Sequence, residues 1–195
     1  MAQTTKLEAV NTMLSAIGEA PVTALNLGLV EADIAETILG SVSKEVQSQG
    51  YSFNRQLSVT FNPDSDGNIV LPADILRADS TQKTDNLDLV QRGLKMFDRV
   101  NNTFTVAQTV YLDIVTELEF IDLPEVVKRY ITIRAGRIFL DRVVGSATLH
   151  GFSEKDEARA LSEIRDMEGE GQDFNIFNNF DTYSIVNRVA QRTVT

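Results

Sequence analysis

Val110-Tyr-Leu-Asp-Ile-Val-Thr-Glu-Leu-Glu-Phe120 sets Val110, Leu112, Ile114, Leu118 and Phe120 against Tyr111, Asp113, Glu117 and Glu119. Apolar and polar side chains alternate with a period of two, which is the pattern of a strand with one face on a core and one face in water. The chain on either side has a different period. Pro124 followed by Glu125 makes a favourable first helical turn, because the ring fixes φ and the carboxylate meets the positive helix end. Val127, Tyr130, Ile131, Ile138 and Val143 then supply apolar contacts down to Gly145. The spacing predicts a helix over Pro124–Val144.

Upstream of the strand the signals are turns and short runs. Asn62-Pro-Asp-Ser-Asp-Gly-Asn68 is a turn cluster between apolar runs and reads as a hairpin signal. Ile69, Val70 and Leu71 follow it, and Pro72 demotes that run to an edge strand or a bulge. Leu87–Gln91 and Leu94–Val100 read as short strands around Gly93.

The N-terminal part is helical. Thr5 and Glu8 have capping-box spacing, and Leu7, Val10, Leu14 and Ile17 recur at helical intervals before Gly18, which suits a left-handed helix end. The next helix is expected over Ala32–Gln49, with Ile34, Ile38, Val42 and Val46 repeating every four residues and Gly50 as its stop. A fourth helix is expected over Ser153–Glu168, capped by Ser153, with Glu154, Asp156 and Glu157 in its first turn and Leu161, Ile164 and Met167 facing inward. His150 then falls in the connection before it, as a surface or capping residue.

These readings give an α+β chain: a bundle of about four helices (5–50 and 122–170) carrying a small β-rich insertion (57–121), in one domain over 1–172. Leu14, Ile38, Ile131 and Leu161 are expected in the core. The remainder, 173–195, differs. Phe174, Ile176, Phe177, Phe180, Tyr183, Ile185 and Val186 are scattered among asparagines with no period. That composition reads as an extended C-terminal docking arm, with packing against its own subunit as the competing reading.

The chemistry of catalysis is thin. The 195 residues include one histidine and no cysteine, which removes thiolate metal sites, disulfides and cysteine nucleophiles and leaves no usual zinc site. No Gly-x-Ser-x-Gly elbow supports a triad on His150. Asp64-x-Asp66-x-Asn68 starts like a calcium loop, but Ile69 stands where the loop needs glycine and Ile75 where it needs the closing glutamate. Carboxylate pairs suited to glycoside hydrolysis occur by chance among 28 acidic residues and point nowhere. No apolar run approaches the ~20 residues that span a bilayer, so no membrane insertion is expected.

The net charge of −10 argues against gripping nucleic acid, which normally needs a basic surface. An acidic wall could still line a path along which duplex DNA slides. The one basic concentration is Lys128, Arg129, Arg134, Arg137 and Arg142 on the third helix. Contact with phosphate is one reading; pairing with carboxylates of the fourth helix or of a neighbouring subunit is favoured, because the chain is acidic and arginine forks match carboxylates. Arg134, Arg137 and Arg142 are therefore candidate interface residues, together with Phe174, Phe177, Phe180, Tyr183, Ile185 and Val186.

Leu7-Glu-Ala-Val-Asn-Thr-Met-Leu-Ser-Ala-Ile-Gly-Glu-Ala-Pro-Val22 resembles the opening of the tail tubular protein A family of short-tailed phages, in which a helix ends in Ile-Gly-Glu-x-Pro-Val. Val46-Gln-Ser-Gln-Gly-Tyr-Ser-Phe-Asn54 is similar to the family's exit from its second helix. Asp122-Leu-Pro-Glu125 with Tyr130, and Asp156-Glu-Ala-Arg159, resemble its third- and fourth-helix segments. The middle strands and the arm depart freely from the family. The resemblance implies a dodecameric adaptor or gatekeeper ring in the virion tail, made in the host cytoplasm. It implies a ring below the portal protein and above the nozzle protein, tail tubular protein B, with the tail fibre attached near the lower junction. It implies neither a cofactor nor catalytic residues. The rival from another class is a tail-associated polysaccharide hydrolase using a carboxylate pair; a third reading is a cytoplasmic adaptor with no phage role.

Overall fold

The computed structural model describes residues 3–80, 87–145 and 147–171. Four helices, α1 (Lys6–Ala16), α2 (Val30–Gln47), α3 (Glu125–Val143) and α4 (Ala147–Gly171), flank five strands, β1 (Arg55–Phe61), β2 (Ile75–Ser80), β3 (Leu89–Arg92), β4 (Lys95–Asp98) and β5 (Val110–Thr116). The fold is α+β, and its sheet is antiparallel in the order β1-β5-β2-β3-β4.

Local signals explain most helix ends. The Thr5 hydroxyl accepts from the Glu8 amide while the Glu8 carboxylate accepts from the Thr5 amide, so the capping box is complete. Gly18 at φ +84° follows α1, and Gly145 at φ +67° follows α3. Pro124 sits at the N-cap of α3, and its carbonyl accepts from the Val127 and Lys128 amides.

Two apolar clusters form. In the first, Val10, Met13 and Leu14 of α1 meet Ile38, Leu39 and Val42 of α2, and Ile131 and Phe139 of α3, with Ile164 closing it from α4. The second lies on the sheet and includes Ile69, Leu89, Met96, Leu112 and Ile114. Leu14, Ile38 and Ile131 are buried as expected, whereas Leu161 is only partly buried and Ala160 and Ile164 take the inner positions. Ile34 and Val143 also face out rather than in.

Four expectations need correction. First, α4 begins at Ala147, not with a Ser153 cap, so His150 lies within the helix instead of in a connection. Glycine inside a helix costs only about 1 kcal/mol relative to alanine, and nothing in Ala147–Phe152 forbids helical φ, so the helix runs through Gly151. Second, α2 begins two residues early, at Val30. Third, the turn at 62–68 does not join two paired neighbours: β1 pairs with β5, and the next strand is β2. The Ile69–Leu71 run instead lies along the outer edge of β4, where the Met96 amide donates to the Ile69 carbonyl and the Leu71 amide to the Leu94 carbonyl. An edge position is where a run stopped by proline is tolerated. Fourth, β5 ends at Thr116, and Phe120 opens a short 3-10 turn (Phe120–Asp122) in which the Phe120 side chain joins the helical core while Ile121 faces out.

Candidate interaction surfaces

The joint between helices and sheet fixes which surfaces remain free. Gln47, the last residue of α2, is fully buried. Its amide nitrogen donates to the Leu118 carbonyl (3.1 Å) and its oxygen accepts from the Leu118 amide (2.7 Å). Asn54 is buried beside it and donates to the carbonyls of Gln47 and Thr116, both at 2.9 Å. Lys128 is buried as well; its ammonium donates to the Ile121 carbonyl at 2.7 Å and to Gln3 at 3.3 Å. A lysine held this way is withdrawn from any phosphate-binding surface.

The α3 arginines separate into two classes. The Arg134 guanidinium donates to Glu157 of α4 (2.7 Å) and to Glu45 of α2 (2.6 Å), and Arg137 donates to the other oxygen of Glu157 (2.5 Å). Arg137 also lies 3.5 Å from Asp141, and Arg129 pairs with Glu163. The Arg137 guanidinium is held above its ordinary pKa chiefly by the hydrogen bond to Glu157. For Arg134, burial pulls the other way, but Tyr130, Glu157 and Glu45 outweigh it and the net shift is also upward. Both stay cationic, and Glu157 bridges them. Arg142 is exposed and makes no ion pair with another described residue. Phe174, Phe177, Phe180, Tyr183, Ile185 and Val186 lie outside the described residues.

Exposed apolar side chains gather at two places that sequence periodicity did not mark, while Leu57, Tyr111 and Ile121 stand exposed elsewhere. Because α2 ends and α3 begins at the joint, the start of α2 and the end of α3 point away from the sheet. There Leu27, Leu29, Val30 (65% exposed) and Ile34 stand in water, as do Val143 and Val144. The other group, Val70, Leu94, Val100 and Phe104, belongs to the far edge of the sheet beside β4. That edge is three strands from β5, or about 14 Å at ordinary strand spacing. Contiguous apolar groups left in water, unlike side chains exposed singly, are characteristic of surfaces that meet partners. The segment from Ala20 to Val30 carries no charge at all, which is the signal in the sequence that could have found the first group.

The model of the tail tubular protein family matches residues 7–174. The chain belongs to the tail tubular protein family. It is thus a structural component of a phage tail that assembles with other tail proteins. No curated protein matches this tail tubular chain. Among its described residues there is no cluster of three or more potential metal ligands, and no described helix is long and apolar enough to cross a membrane.

Proposed function

We propose that the chain is one subunit of a dodecameric adaptor or gatekeeper ring. In this reading it joins the portal to the tail nozzle, forms part of the DNA conduit and contributes to the region where the tail fibre attaches. The observation that carries it is the placement of two exposed apolar groups at opposite ends of the subunit, one on the sheet-distal helix ends and one on the far sheet edge. A connector between two different rings needs two separate adhesive ends, and a rigid joint between them transmits position from one to the other. The fixed joint of Gln47, Asn54 and Leu118 supplies that rigidity. A net charge of −10 per copy suits a conduit that repels the DNA phosphates it must release. Repeated heterologous contacts close a ring when the rotation per subunit divides a full turn.

Mass measurement of the purified protein, alone and then with portal rings, tests this reading. The expected result is a closed ring, alone or templated by portal, that then recruits nozzle protein. A chain that stays monomeric and binds neither portal nor nozzle overturns it.

A further inference from the structure

We propose that the segment Phe174–Phe180 adds alongside β1 of its own subunit, as a further parallel strand of the sheet. The proposal does not depend on the ring. Strand β1 is an edge: β5 pairs with it on one side, and no described strand pairs with it on the other. A free edge is a template for another extended segment, because its outward backbone groups lack partners. The register to β5 shifts between Gln56 and Val59, and Ser58 there takes φ +54°, so the regular stretch is Val59–Phe61. Val59 and Phe61 are only partly buried against the sheet cluster, whereas Leu112 of β5 is fully buried. Leu57 stands outside that cluster and is 65% exposed.

The place where the chain leaves α4 selects this edge. At the joint, Asp74, just before β2, shares a cleft with Leu39 and Ser43 of α2. Ser52, just before β1, instead meets α4: its amide and hydroxyl donate to Glu168 at 3.1 and 2.7 Å. Helix α4 therefore ends on the β1 side, at Gly171. Three residues lead from Gly171 to Phe174, and three from Ser52 to Arg55, each spanning up to about 10 Å. Phe174 thus reaches the start of β1, and an extended chain continuing outward from there runs parallel to it.

The segment has the length and chemistry of a strand at that edge. Strand β1 has seven residues, and so does Phe174–Phe180. No proline or glycine lies between Asp173 and Thr195, so nothing removes a ladder donor or weakens the strand. The arm as a whole has no period, but within this window Phe174, Ile176 and Phe180 fall at even positions and share one strand face with Asn178. That face extends the apolar side of Val59 and Phe61. Phe177 falls on the opposite face and packs over Leu57.

The chain has no cysteine, so introduced pairs report without background. Full-length Thr60→Cys is combined with Asn179→Cys, on the same face, or with Asn178→Cys, on the other, and oxidised in dilute solution. The expected result is a disulfide within one chain, formed at least tenfold faster with Asn179→Cys. Hydrogen exchange gives an independent reading. The β1 amides that do not pair with β5 should be protected in the wild type and exchange at least tenfold faster in Phe180→Asp, while the α3 amides keep their protection. Cross-links found only between chains overturn the proposal and assign the segment to another copy. No cross-link, together with β1 amides that exchange alike in both proteins, overturns it as well. Either failure leaves the ring reading standing, because ring formation is measured separately by mass.

Discussion

The side chain of Gln47 satisfies both backbone groups of Leu118, 71 positions further along the chain. The last turn of α2 thereby acts as a pairing partner for the backbone where the sheet hands over to the helical core. Gln47→Ala leaves a partly buried amide and carbonyl without protein partners. Each unsatisfied group costs roughly 1–3 kcal/mol, so the substitution is expected to lower stability by about 2–4 kcal/mol. Urea denaturation followed by circular dichroism measures it, and a loss under about 0.5 kcal/mol would show that water replaces Gln47 freely.

Glu157 holds Arg134 and Arg137 together. Removing the shared carboxylate leaves two guanidinium groups with reduced neutralisation in a site that is only a fifth to a quarter exposed at each arginine. Losing one partner of a fully buried pair costs about 3–5 kcal/mol; partial exposure here brings the expected loss for Glu157→Ala down to about 2–3 kcal/mol. Arg142→Glu, by contrast, should change folding stability by less than about 0.5 kcal/mol, as surface substitutions do. Thermal melts of the two variants side by side check the contrast, and a defect of Arg142→Glu confined to assembly would assign that residue to an interface.

Gly50 turns the chain from α2 into the strands at φ +78°, and a Cβ there would lie 2.7 Å from Arg77 Nη2 and 2.8 Å from Val115 Cγ2. Gly50→Ala is therefore strained in backbone and crowded in space, with an expected cost of about 1–3 kcal/mol. Gly40→Ala makes the control. It stands in the middle of α2 with nothing within 4 Å of the added carbon, so it should raise stability by about 0.5–1 kcal/mol. Equal effects of the two substitutions in chemical denaturation would refute the distinction.

What was legible in the sequence was what local chemistry decides. The Thr5–Glu8 box, Gly18, Gly50 and Gly145 each act within a few residues of themselves, and the alternation after Val110 marks one face of one strand. The carboxylate pairing of Arg134 and Arg137 was legible as a class, because the chain is acidic, but the identity of Glu157 was not. Gln47 and Asn54 read as the polar end of a helix and an ordinary exit; their roles arise only when Leu118 and Thr116 arrive from far along the chain. Strand β2 carries Ile75, Arg77, Ala78 and Asp79 without clear alternation, and only pairing with β5 on one side and β3 on the other makes it a strand. The start of α4 was hidden by Gly151 and Ser153, whose local preferences for a break yield to the continuing helix.

The sheet lobe should be sensitive to acid through Asp98. Its carboxylate is held below the usual aspartate range, first by the Asn101 side-chain amide (2.6 Å) and then by the Val100 amide (2.9 Å) and the Asn101 amide. Asp64 is lowered in the same way, first by the Asn68 amide (2.8 Å) and also by that of Asp66 (3.0 Å), within the turn before Ile69. A carboxyl group whose folded pKa is depressed binds its proton more readily when unfolded. Its contribution is therefore complete above the unfolded value of about 3.9 and disappears as the pH falls through the lower folded value. Asp98→Asn keeps an oxygen to accept from the two backbone amides but cannot titrate. The wild type should be the more stable at pH 6, and the gap should narrow as the pH falls from about 4 to 2.5. Glu8 and Glu125 are lowered too, by Thr5 and by Thr4 respectively, so the difference between the two proteins, and not the acid transition of either alone, is the quantity to measure. Melting temperatures of both across this range provide it; a gap that stays constant from pH 6 to pH 2.5 would mean that the Asp98 charge adds nothing beyond its shape.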